Sequence, residues 1–114
     1  MAYSEYLADR IRERLRNRAH QEKPMMGGLI FMVNEAMCLG VDIDKSTGED
    51  RLMVRVGKLN VDALLGTKGS RAMDFTGKPM RGFLFIGADG FETDEALDFW
   101  VDKALEFNAL LTSG

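Results

Sequence analysis

The residues best able to do chemistry fall in a few short stretches. Gly66-Thr67-Lys68-Gly69 has the G-x-x-G form with which some nucleic-acid-binding domains clamp a phosphate backbone, but that loop joins two helices. Here the flanking pattern is a short helix and then a strand, so the expectation is a glycine-rich connector. With Ser70 the same stretch falls short of a nucleotide phosphate loop, which needs four residues between its glycines and then Lys followed by Ser or Thr. Asp42-Ile43-Asp44-Lys45-Ser46-Thr47-Gly48 begins like a calcium loop. Its glycine comes one position late, however, and Met53 stands where the bidentate Glu belongs. Asp42 and Asp44 could share acid and base duties only if their surroundings separated their affinities for protons, and no neighbouring residue suggests this.

His20 is the only histidine and Cys38 the only cysteine, which leaves no multi-histidine metal site and no intrachain disulfide. Cys38 lies between Met37 and Leu39 in an apolar run, where a buried, reduced thiol is expected. These residues assign no catalytic residue, no metal ligand and no cofactor.

Charge is unevenly spread over a chain of net charge -3. Arg51, Arg55, Lys58, Lys68, Arg71, Lys78 and Arg81 face only Asp62 and Asp74 in the middle, whereas Asp89, Glu92, Asp94, Glu95, Asp98, Asp102 and Glu106 face only Lys103 near the end. Mutual compensation on a solvated surface is the simplest expectation. A nucleic-acid surface built on Lys58, Lys68 and Arg71 is the alternative, with Phe75, Phe83 and Phe85 stacking bases if exposed.

These groups must be positioned by elements that the apolar spacing outlines. Ser4 caps a helix with Leu7, Ala8, Ile11 and Leu15 on one side, and Pro24 sets its end near His20. Residues 28–33 and 36–41 are apolar runs separated by Asn34 and Glu35, the spacing of a hairpin. Residues 51–56 alternate, with Leu52, Val54 and Val56 inward and Met53 and Arg55 on a polar face. A short helix at 59–65, with Val61, Leu64 and Leu65 inward, precedes a second hairpin of 72–75 with 80–86 around Thr76-Gly77-Lys78-Pro79. Thr93 caps a closing helix carrying Leu97, Trp100, Val101, Ala104, Leu105, Phe107, Leu110 and Leu111.

The order implies an α+β fold with an antiparallel sheet of about five strands, helices at both ends and a short central helix. A length of 114 residues with 46% hydrophobic content suits one domain over 1–114. No apolar run approaches the roughly 18 residues of a membrane span, so a cytoplasmic protein is expected.

Lys23-Pro24-Met25-Met26-Gly27-Gly28 followed by Leu29-Ile30-Phe31 resembles the opening of the TfoX (Sxy) N-terminal domain family. The later elements, including Gly77-Lys78-Pro79-Met80 and the acidic closing helix, follow in the family's order over residues 5–111. Met26 stands where an aromatic is common, and Arg81-Gly82-Phe83 replaces an aromatic-rich strand start. The resemblance implies a non-catalytic regulatory module of competence or transcription control, acting by contact with a protein partner. In the competence regulator a C-terminal helical domain follows; here the expectation is a stand-alone single-domain member of the family. Methyl transfer is not expected, because no glycine-rich loop follows a first parallel strand.

Met25, Met26, Gly27, Gly28, Phe99, Phe107 and Leu110 are the expected partner surface, and Phe99, Phe107 or Leu110 could also pair two copies. A weak nucleic-acid binder is the second class, and a small-ligand binder or enzyme the third.

Overall fold

The computed structural model describes residues 3–25, 27–75 and 78–112, with the backbone only at 73–75, 78–80 and 112. In chain order the elements are α1 (Glu5–Arg14), β1 (His20–Met25), β2 (Gly28–Val33), β3 (Ala36–Ile43), β4 (Asp50–Arg55), α2 (Lys58–Leu64), β5 (Ser70–Phe75), β6 (Lys78–Ile86) and α3 (Asp94–Thr112). A single 3-10 turn, Ala88–Gly90, links β6 to α3. The strands form one six-stranded sheet in the order β1-β2-β3-β4-β6-β5, with every neighbouring pair antiparallel.

The α+β class and its antiparallel sheet are as the sequence leads one to expect, with one strand more. Residues 20–25 form an edge strand where the apolar spacing suggested only the end of a helix. His-Gln-Glu-Lys-Pro-Met has no apolar alternation to announce a strand. It is held by backbone pairing to β2, and Lys23 and Pro24 suit an outer edge, where proline needs no ladder partner and lysine discourages further pairing. Accordingly α1 closes at Arg14, capped by Leu15, and stops short of His20.

The other boundaries agree with local chemistry. Ser4 Oγ accepts from Leu7 N at 3.3 Å, and Thr93 Oγ1 accepts from Ala96 N at 3.1 Å, so both long helices carry the side-chain caps their first turns need. Asn34 and Glu35 both have positive φ, 53° and 65°, which gives the β2–β3 hairpin the twist that two-residue loops favour.

The main core lies between one face of the sheet and the helices. Leu7, Ile11 and Leu15 of the α1 segment and Leu97, Trp100, Val101 and Ala104 of α3 meet Phe31, Val41, Leu52, Val54, Leu84 and Ile86. Trp100 is buried with its indole N–H donated to Gly90 O at 3.2 Å, which supplies the partner a buried indole requires. In α2, Val61 and Leu64 pack on this core. Leu65, expected inward, is 38% exposed, and Leu59 is almost wholly exposed.

Polar contacts fasten the helices. Arg12 forms a two-pronged bond to Glu22 of β1 at 2.9 and 2.8 Å, while Arg10 and Arg14 reach Asp94 of α3 and Arg14 also reaches Asp98. Part of the acidic tail is therefore compensated by the first helix, not by the basic middle. Near the other end of α3, Asn108 is only 3% exposed. It donates to Val33 O at 2.9 Å and accepts from Asn34 Nδ2 at 2.9 Å, tying the helix to the β2–β3 turn.

Asn108→Leu is expected to cost about 2 kcal/mol, because it strands a buried carbonyl and an amide, as read by urea unfolding followed through Trp100. The carboxyl of Glu22 is held below its ordinary range chiefly by the Arg12 hydrogen bond, and that of Asp94 by Arg14 and then Arg10. A depressed folded value means that their stabilisation is complete above the ordinary values of 4.5 and 3.8 and disappears as pH falls through the folded ones. The thermal midpoint should therefore hold from neutrality to about pH 5 and drop below about pH 4, and Glu22→Gln should shrink that drop.

Candidate functional site

Away from the register shifts at Phe31/Met32 and Ala72/Asp74, strand register assigns the described side chains to one side of the sheet, since directly paired residues point the same way. Phe31, Leu39, Val54 and Leu84 point to the helices. Their alternates point away, and these make a second cluster in which Ile30, Met53 and Phe85 are buried and Met32, Met37 and Phe83 are half-buried. None of the helices contributes to it. The face carrying Met53 and Arg55, read from sequence as polar, is apolar at its centre and charged at its margins.

The order within this face comes from its arginines. Arg51 lies flat on Phe85, with its guanidinium carbon 3.7 Å from the ring centroid, and donates to both oxygens of buried Asp42 at 3.0 and 2.7 Å. Arg55 lies 5.5 Å from the Phe83 ring and from the Phe107 ring. At the centre, β3 offers Gly40. A Cβ there would lie 2.6 Å from Ile30 Cδ1 and 3.0 Å from Met53 Cε, so these two side chains close over the glycine.

Where this face meets the β3–β4 loop, a cleft of about 300 Å³ is lined by Asp44, Arg51, Arg71, Phe85 and Asp89, among others. Hydrogen bonds from the Ser46 hydroxyl and amide, at 2.7 and 2.9 Å, hold the carboxyl of Asp44 below its ordinary range, with Arg51 and Arg71 adding to the effect. Asp42 and Asp44 are thus committed to Arg51 and to the loop. In Gly66-Thr67-Lys68-Gly69 the Ser70 hydroxyl bonds to Thr67 O at 2.7 Å and accepts from Gly66 N at 3.2 Å, while Gly69 packs on Gly90. His20 lies on β1, with Nε2 3.8 Å from Glu22. Cys38 is buried among apolar side chains and its thiol pKa is pushed up to about 12 by that burial, so it carries no thiolate at neutral pH.

The residues expected to form a partner surface fall in separate places. Met25 is 37% exposed at the end of β1. Gly28 is buried, and a Cβ on it would sit 2.2 Å from Val41 O; Gly27 has φ 77°. The glycine pair therefore serves strand geometry. Met26 and the side chain of Phe75 lie outside the described residues. Phe99 and Leu110 are both exposed on α3, three turns and about 16 Å apart, with the Lys103–Glu106 ion pair (3.4 Å) between them in sequence. Phe107 is half-buried against Gly57.

The basic trio is also dispersed. Lys58 starts α2 next to Gly82, Lys68 borders an apolar cleft with Phe99 and Trp100, and Arg71 is paired in register with Phe85 on the helix-free face.

The TfoX N-terminal domain model matches residues 16–108, a span that runs from the end of the α1 segment into α3. The chain belongs to the TfoX N-terminal domain family. Comparison with curated proteins and with solved structures gives no significant match. For this TfoX N-terminal domain, no described helix is long and apolar enough to cross a membrane, and among the described residues no group of three or more His, Cys, Asp or Glu is placed to hold a metal ion.

The sequence reading missed the helix-free cluster, although its signal is present. Arg51, Met53 and Arg55 alternate with the core residues of β4, and Phe83 and Phe85 with those of β6. Arg51→Ala should cost about 3 kcal/mol by leaving Asp42 buried and unpaired. Replacing the pair together, Arg51→Met with Asp42→Leu, should cost much less, and a double-mutant cycle in urea measures the difference.

Proposed function

We propose that this TfoX N-terminal domain is a regulatory module that acts by contact with a protein partner in the cytoplasm and performs no chemistry of its own. The observation that carries this reading is the helix-free sheet face, where Met32, Met37 and Phe83 stand half-buried around Ile30, Met53 and Phe85. The open parts of Met32, Met37 and Phe83, outside the main core, are apolar surface of the kind that protein partners cover. Methionines, unbranched and polarisable, adapt to varied partner side chains. On this reading the contact is assigned to the sheet, ahead of the Met25–Gly28 turn and of Phe99, Phe107 and Leu110.

Nucleic-acid binding is the weaker reading, because phosphate contacts favour bases gathered on one face and Lys58, Lys68 and Arg71 are spread over the molecule. Pairing of two copies through α3 would have to cover the Lys103–Glu106 ion pair together with Phe99 and Leu110.

The test is affinity capture from source lysate, with nuclease treatment and mass spectrometry. Met32→Glu with Met37→Glu should abolish recovery of a protein that wild type and Leu110→Glu both retain. Recovery that is nuclease-sensitive and lost in the Lys58, Lys68, Arg71 charge reversal would instead make this a nucleic-acid binder.

A further inference from the structure

On α3 the residues Phe99, Lys103, Glu106 and Leu110 follow one another at spacings of four, three and four, so they form one stripe along the helix. Leu97, Trp100, Val101 and Ala104 are buried on the opposite side, against the sheet. The stripe is therefore the outer crest of α3. Phe99 is 39% and Leu110 70% exposed; between them Glu106 is exposed and Lys103 half-buried. Such spacings are those of the heptad positions through which paired helices interlock.

The stripe is also complementary to itself. Phe99 and Leu110 stand at equal distances from the midpoint between Ala104 and Leu105, and so do Lys103 and Glu106. A two-fold axis through that point lays a second α3 antiparallel on the first. Phe99 then meets Leu110 of the second copy and Lys103 meets its Glu106, each contact occurring twice. From this symmetry we infer that α3 is a homodimer interface, in which two copies of the chain pack antiparallel through Phe99, Lys103, Glu106 and Leu110.

Charge selects a second copy over other occupants. The Lys103–Glu106 pair, 3.4 Å apart within one helix, is shared with its counterpart across the axis and so keeps opposite charges at every contact. A partner helix of one sign would set either Lys103 or Glu106 against its own charge, and a nucleic-acid strand would meet Asp102 and Glu106. The other acids of α3 do not oppose the pairing. Asp94 and Asp98 lie on the flank towards α1, held by Arg10 and Arg14. Asp102 comes level with Phe107 and Ala109 of the second copy, and Glu92 and Glu95 lie beyond its Leu110. The contact is independent of the sheet face proposed for another protein, which is on the opposite side of the sheet and stays open in both copies. A dimer would present that face twice.

Three turns of helix bury less than the roughly 1,200 Å² at which standard interfaces begin, so the dimer is a weak one, with dissociation on the order of 100 μM. Sedimentation velocity of the full chain, at loadings up to about 1 mM, should show self-association. Lys103→Glu and Glu106→Lys each set like charges across the axis and should weaken it at least about tenfold. Mixing the two variants restores both cross-axis pairs and should return association to about the wild-type level. A role confined to the helix itself gives no recovery on mixing, because neither chain regains its own ion pair. Circular dichroism checks the fold of each variant.

Wild type that stays monomeric at about 1 mM overturns the inference. So does a mixture that associates no better than its two components. Self-association kept in Leu110→Glu but lost in Met32→Glu/Met37→Glu would put the interface on the sheet and overturn it as well. Lysate capture bears on the sheet contact alone, so the two readings can fail separately.

Discussion

A β-strand cannot turn one set of side chains to a helix layer without turning the alternate set the other way. Here the layer is one-sided. α1 and α3 bury Phe31, Val41, Val54 and Leu84, and the same strands must then present Ile30, Met53, Phe83 and Phe85 on the far side. The helix-free face follows from core formation itself. What is particular to this chain is that the alternates are apolar and flanked by arginine, where a solvated antiparallel sheet would ordinarily carry polar residues.

Local polar chemistry keeps that arrangement in register. A slip of one residue would exchange the two faces; the two-residue turn at Asn34-Glu35, with both residues left-handed, sets Met32 against Met37, and the one-residue shift at Cys38 then sets Phe31 against Leu39. Asn108 then ties that turn to α3 through Val33 O and Asn34, so the helix layer and the hairpin share one hydrogen-bonded joint. At the opposite end of α3, Arg10 and Arg14 grip Asp94 and Asp98. Exposed ion pairs contribute little singly, but these lie at the point where α1 and α3 must be held at one spacing.

Most of the element order was legible because the responsible residues act locally. Ser4 and Thr93 announce helix starts, Asn34-Glu35 a hairpin, and the β4 alternation a strand with two unlike sides. β1 was not legible, because its pairing is carried by backbone groups and its side chains are polar or proline. The candidate surface was hidden for a different reason. Phe85 beneath Arg51, or Met53 beside Phe85, depends on pairings between strands far apart in sequence, and no window along the chain contains them. The same dependence scatters Lys58, Lys68 and Arg71, which a count of charges places together.

At Gly40 the sheet lacks a side chain at the centre of a face, and Ile30 and Met53 fill the space it leaves. Strand β3 also carries Leu39 and Val41 into the helix-packed core on either side of that glycine. The two apolar clusters are therefore separated there by a wall one peptide group thick. A side chain at this position would have to displace Ile30 or Met53 from the far face, so the glycine is what lets the two halves of that cluster close together.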